Sequence, residues 1–182
     1  STFFSEGAPS AQAARKAISG DYNGDGKLDI FVVGHGIDVP PYPGEAPYLI
    51  LSSESGVTLG QDMSEFSGFQ HGAASADVDG DGDIDIFVAN TARSYFLIND
   101  GTGQFTKDTR RLTEFSDTAF YTTELLDVDM DGYVDLLIAG HEFEGFKSQI
   151  LWGDSIGFYS SENATLLPSV TGKGVVVDID AA

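Results

Sequence analysis

The sequence predicts an all-β fold made of about three repeated four-stranded antiparallel units. Three observations predict it. An acidic nine-residue pattern occurs at 21–29, 77–85 and 127–135. A short apolar, β-branched run follows each copy. A further apolar run and a turn rich in Gly or Ser then complete each unit, as antiparallel pairs require.

The elements follow in chain order. Before each acidic stretch lies a short run of small or apolar residues: Ala17-Ile18, Ala73-Ala74 and Leu125-Leu126. After each comes a stronger run, Ile30–Val33, Ile86–Ala89 and Leu136–Ala139. Runs this short, bounded by Gly and Asp, read as buried strands rather than helices. The third strands are predicted at Tyr48–Leu51, Tyr95–Ile98 and Gln149–Trp152, and the fourth at Gly56-Val57, Gln104-Phe105 and Gly157-Phe158. Four strands in roughly 50 residues make the blade of a β-propeller. A fourth copy begins after Val175–Val177 and is truncated at 178–182, so the spacings are 56, 50 and 51 residues. Residues 1–182 thus read as one repeat array. Propellers close with about 4 to 8 blades. The expectation is therefore a fragment of a larger propeller. Blades from other copies, or a small open stack, are the alternatives, and unpaired strand edges make self-association physically reasonable.

Composition excludes several classes. Acids outnumber bases 29 to 9, for a formal net charge of −20, which repels nucleic-acid phosphates and anionic lipid. No apolar run approaches the ~18 residues of a membrane span, so no membrane insertion is expected. Disorder is excluded by the 41% of hydrophobic residues. With no Cys, thiolate metal sites and Cys nucleophiles are excluded. The acids are also not scattered: 14 of the 29 lie in the four repeat segments.

Their spacing points to a cation. Acidic or amide side chains at positions 1, 3, 5 and 9, with Gly at 6, suit hard oxygen coordination of Ca²⁺ on a tight loop. The side-chain ligands are expected to be Asp21, Asn23, Asp25 and Asp29; Asp77, Asp79, Asp81 and Asp85; and Asp127, Asp129, Asp131 and Asp135. Lys27, Asp83 and Tyr133, at position 7, would add backbone carbonyls. An EF-hand is excluded, because its position-12 Glu is replaced by Val32, Val88 and Ile138 and strands follow the loops. The alternative for one loop is an Asp-rich hairpin turn; three in register with matching flanks argue against it.

The stretch Asp77-Val-Asp-Gly-Asp-Gly-Asp-Ile-Asp85, then Val88-Ala-Asn90 and Leu97–Phe105, resembles FG-GAP/VCBS repeats, and the resemblance covers nearly the whole chain. It implies calcium-bearing propeller blades like those of integrin α-subunit heads and secreted bacterial proteins, with calcium ligands at the loop positions named above. Two departures stand out: Asn23 lowers the charge of the first loop, and Met130 replaces a Gly found in the other two.

Ligand specificity is expected on the rim opposite the acidic loops. That rim should carry the loops His35–Pro47, Asn90–Ser94 and His141–Phe146, with Tyr42, Arg93, His141, Glu142 and Phe143 as candidate contacts. His35 and His141 each follow a Gly at matching repeat positions, which repeat structure explains better than catalysis. Gly153-Asp-Ser155-Ile-Gly157 satisfies the G-x-S-x-G hydrolase pattern but falls on a hairpin turn with no helix after it. Asn163-Ala-Thr165 is an N-glycosylation sequon. The resulting expectation is an extracellular, secreted or cell-surface module for adhesion, carbohydrate or protein binding, or assembly, with about three structural Ca²⁺ ions. Part of a secreted polysaccharide lyase or hydrolase, and a self-assembling fibre or surface-layer repeat, are the alternatives.

Overall fold

The computed structural model describes residues 9, 11–112, 115, 119–140 and 146–168. Twelve strands form three separate four-stranded sheets, and there is no α-helix among the described residues. The first sheet holds β1 (Ala14–Gly20), β2 (Asp29–Gly34), β3 (Tyr48–Ser53) and β4 (Gly56–Leu59). The second holds β5 (Gln70–Ala76), β6 (Asp85–Asn90), β7 (Tyr95–Asn99) and β8 (Phe105–Asp108). The third holds β9 (Phe120–Leu126), β10 (Asp135–Gly140), β11 (Gln149–Leu151) and β12 (Ala164–Leu166). Each sheet is an antiparallel meander whose spatial order follows the chain. These are the expected blades.

The middle blade shows why the runs are apolar on both faces. β6 is buried along its whole length, and successive side chains of a strand point to opposite faces. Ile86 and Val88 join Tyr95, Leu97 and Phe105 in a core shared with Tyr22, Phe31, Val33 and Leu49 of the first blade. Phe87 and Ala89 join Ala74 and Phe96 in a second core with Phe120, Leu136, Ile138 and Tyr159 of the third. Full burial of each large side chain contributes about 1.5–3 kcal/mol, so the interblade layers carry most of the stability.

The first strands of the blades, β1, β5 and β9, pack side by side at the inner edge. Each is interrupted by a bulge at the same height, so that Arg15, His71 and Tyr121 fall between the registered pairs of the ladder. Gly72 lets β5 approach β9 there, because a Cβ would lie 3.0 Å from the Tyr121 carbonyl oxygen.

One expected strand is displaced. Gly157-Phe158 does not pair with β11; the fourth strand of the third blade is β12, after a short 3-10 turn at Ser161–Asn163. The Asp154 carboxylate accepts from the Ile156 and Phe158 N–H groups and curls the chain. Tyr159 then pairs with the previous blade, its N–H donating to the Arg111 carbonyl at 2.8 Å and its ring stacking on Phe96. Ser155, in the G-x-S-x-G match, sits in this loop and not at a strand-to-helix elbow. The expected fourth acidic loop, 178–182, lies outside the described residues.

Candidate functional site

Each acidic stretch is the turn between the first two strands of its blade. The pairs Gly20–Asp29, Ala76–Asp85 and Leu126–Asp135 close the three hairpins, so the position-9 Asp is the first residue of the second strand. Position-6 glycines take φ of +80°, +97° and +95° at Gly26, Gly82 and Gly132, a region that a Cβ disfavours. This bend folds the loop over its own carboxylates. Asp77 accepts from the Gly80, Asp81 and Gly82 N–H groups, and Asp21 and Asp127 accept in the same manner from Asp25 and Gly26 and from Asp131 and Gly132.

The position-9 carboxylates are buried and bind two strands at once. Asp29 accepts from Tyr22 N–H in its own loop and from Ser52 N–H at the end of β3. Asp85 does so from Val78 and Asn99, and Asp135 from Val128 and Gly153. Distances run from 2.7 to 3.1 Å. The third-strand partners are not legible as site residues in the sequence, since only their backbone takes part.

The structure brings Asp77, Asp79 and Asp85 together with carboxylate oxygens within 4.8 Å of one another, and likewise Asp127, Asp129 and Asp135. Both groups could hold a metal ion. The first loop, with Asn23 at position 3, forms no such acidic group among the described residues, although Asp21 and Asp29 occupy equivalent places. Asp81 and Asp131, at position 5, stand outside the groups and accept from the Asp83 and Tyr133 N–H groups; Asp25 accepts from Lys27. In the second loop, Asp79 Oδ1 is buried with no hydrogen-bond partner. Burial, with Asp79 and Asp81 adding charge repulsion, outweighs two N–H bonds and pushes the Asp85 carboxyl up to about 7. Asp83 is raised too, by desolvation first and then by its acidic neighbours Asp81, Asp77, Asp100 and Asp79. Oxygen-only donors and a buried carboxylate oxygen lacking a donor fit a hard cation.

Arg111 is the neighbour that the sequence does not announce. It lies just after β8, yet its guanidinium reaches Asp79 Oδ2 at 2.9 Å and donates to the Ile156 carbonyl at 2.7 Å. It therefore ties the second acidic loop to the third blade. Asn99 makes the matching tie to the first, its amide donating to the Tyr22 carbonyl at 2.9 Å.

At the other end of the blades, a cleft of about 580 Å³ opens between the first two. Tyr42 and Pro43 from the β2–β3 loop, Gly68 and Phe69 ahead of β5, and Asn90 and Thr91 at the end of β6 line it. Reciprocal backbone bonds between Glu45 and Gly68 fix the loop against the second blade. Tyr42, half exposed, meets Phe69 edge to face at 5.7 Å. Its φ of +55° is rare for a bulky residue. Phe69 in turn stacks on buried His35 at 4.4 Å, and Asn90 Oδ1 is buried with no partner. Arg93 occupies the same β6–β7 loop as Thr91 but outside the cleft lining, its guanidinium donating to the Thr109 carbonyl. Phe146, expected at the rim, packs into the second core against Phe120. His141, Glu142 and Phe143 lie outside the described residues. Phe69 escaped the sequence reading because it precedes a strand rather than following one.

Comparison with known proteins gives one repeat match and one fold. Residues 77–138 match the FG-GAP-like repeat, from the first acid of the second loop into β10. No curated protein matches the chain. Among solved structures the chain is similar to a lectin of Agrocybe aegerita, described by its specific recognition of non-reducing terminal N-acetylglucosamine, with a TM-score of 0.53 at 20% identity. The likeness covers 83% of this chain, which spans 37% of the lectin's length. At that identity the likeness speaks for the fold. The chain is thus an all-β array of propeller-type blades that carries, at residues 77–138, an FG-GAP-like repeat.

Proposed function

We propose that this chain is an extracellular, calcium-stabilised β-propeller segment that binds glycan in the cleft between its first two blades. The acidic hairpins would hold calcium through the position 1, 3 and 9 side chains, with position 5 and the position-7 carbonyls of Lys27, Asp83 and Tyr133 completing the shell. Bound calcium supplies the positive charge that offsets carboxylate repulsion in each turn. The chain's own residues do the rest: Asp29, Asp85 and Asp135 lock loop to third strand, and Arg111 and Asn99 carry that order between blades. Extracellular modules of this kind bind calcium at about 10⁻⁴–10⁻³ M, which suits a secreted or surface location.

The observation that carries the binding role is the Tyr42–Phe69 aromatic corner over a cleft whose buried Asn90 Oδ1 lacks a partner. An apolar ring face beside a few fixed polar groups is what a sugar ring needs. The lectin fold of the structural neighbour supports the same reading. The test is titration calorimetry with N-acetylglucosamine, preceded by a glycan array, in calcium buffer. Saturable binding that Tyr42→Ala weakens by at least about tenfold, with an unchanged melting curve, supports the proposal. An array without binding, or affinity indifferent to Tyr42→Ala, overturns it.

A further inference from the structure

The three bulged residues of the inner strands belong to one pocket. Arg15, His71 and Tyr121 leave the ladder at equivalent points of β1, β5 and β9. Because these strands stand side by side, the side chains converge instead of lying on three separate surfaces. Together with Lys16, Thr122 and Thr123 they line a polar cavity of about 230 Å³. The rings of His71 and Tyr121 meet edge to face at 4.5 Å and form one wall.

The charge here opposes that of the molecule. Only nine bases offset 29 acids in the chain, yet two of the nine are adjacent on this strand. Lys16 is partly neutralised, its Nζ lying 3.7 Å from Glu124. Arg15 is exposed and has no ion pair or hydrogen bond among the described residues. An unengaged guanidinium presents paired N–H donors in a planar fork, the geometry that fits an oxyanion. The Thr122 hydroxyl and the His71 imidazole line the same cavity and add hydrogen-bonding groups. Elsewhere among the described residues the basic side chains are engaged, Arg110 and Arg111 with Asp108, Arg93 with Thr109, Lys27 with Asp25 and Lys107 over the Tyr95 ring.

We propose that this inner-edge pocket is an anion site, distinct from the acidic loops and joined to the Tyr42 cleft only through the Phe69–His71 ring contact at 5.5 Å, that takes a small oxyanion group with Arg15 as its principal donor. A carboxylate and a sulfate share the required chemistry, and the cavity has room for either on a monosaccharide-sized body. The site does not depend on the glycan reading of the other cleft.

The experiment is a titration of the full chain in calcium buffer with glucuronate, with sulfate and with neutral glucose. It is read by calorimetry and by NMR shifts of the His71 and Tyr121 ring protons. Glucuronate or sulfate should bind saturably and move both rings, and glucose should do neither. The comparison of the two anions identifies which oxyanion is preferred. Arg15→Gln, at an exposed position where folding is not at stake, should weaken anion binding by about tenfold, the loss of one charge-assisted hydrogen bond. Glu54→Ala, at an exposed position of the β3–β4 turn, should leave it unchanged. Absence of anion binding, equal binding of glucose, or anion binding that survives Arg15→Gln with no shift at His71 or Tyr121 overturns the assignment.

Discussion

In the metal-free chain the buried Asp85 carboxyl is pushed up to about 7, against an ordinary 3.8, chiefly by desolvation. The folded chain therefore keeps a proton that the unfolded chain has released, and stability falls as pH rises between those values. We expect the melting temperature in EDTA to decline from pH 5 to pH 7.5, and Asp85→Asn to flatten that slope; a slope unaffected by the substitution counts against the assignment. Calcium needs the carboxylate form, so its affinity should rise with pH across the same window. Asp85→Ala should cost about 2–3 kcal/mol even without calcium, because it strands the buried N–H groups of Val78 and Asn99. Glu54→Ala, at an exposed position, should cost less than about 0.5 kcal/mol in the same denaturation series. Met130 is a second sharp case. It takes φ of +62° where Gly24 and Gly80 take +70° and +76°. Met130→Gly should stabilise by about 0.5–1 kcal/mol, since the left-handed cost exceeds the added chain entropy. A calorimetric scan that shows no rise contradicts this.

At the scale of the hairpin, the acidic turn and its two strands are nearly complete in the sequence. Alternating carboxylates, a position-6 Gly and a flanking β-branched run each demand the same local geometry, so Asp21–Val33 is readable without a fold. Backbone partners are not: nothing about Ser52, Asn99 or Gly153 as residue types marks them as donors to Asp29, Asp85 and Asp135. Gly157-Phe158 is misread for a related reason. Its local pattern is that of a strand, but Asp154 curls the turn and Tyr159 gains more by packing on Phe96 and the neighbouring blade. Arg111 is equally illegible, because its contact with Asp79 spans 32 positions. Its guanidinium would compete with a bound cation for Asp79 Oδ2. Arg111→Met should therefore raise calcium affinity at the second loop by about three- to tenfold while lowering metal-free stability. Calorimetric titration that shows equal or weaker calcium binding in the variant would sink that competition.

For the whole molecule, 12 of the 29 acids behind the net charge of −20 lie in the three described acidic loops at one end of the blades. Three calcium ions would reduce it to about −14, relieving repulsion at that end. Two sets of interblade contacts depend on the loops: Asn99 to Tyr22 and Arg111 to Ile156. Disorder in one loop should therefore loosen two apolar layers as well as one turn. The Tyr42–Phe69 cleft and the acidic loops lie at opposite ends of the blades. The most direct test of this account is a calorimetric melting curve in millimolar calcium against EDTA. Ten millimolar calcium is a ten- to hundredfold excess over dissociation constants of about 10⁻⁴–10⁻³ M, so each site contributes about 1.4–2.7 kcal/mol. The transition should accordingly move up by at least about 5 °C in calcium, with magnesium far less effective. Superimposable curves would contradict it.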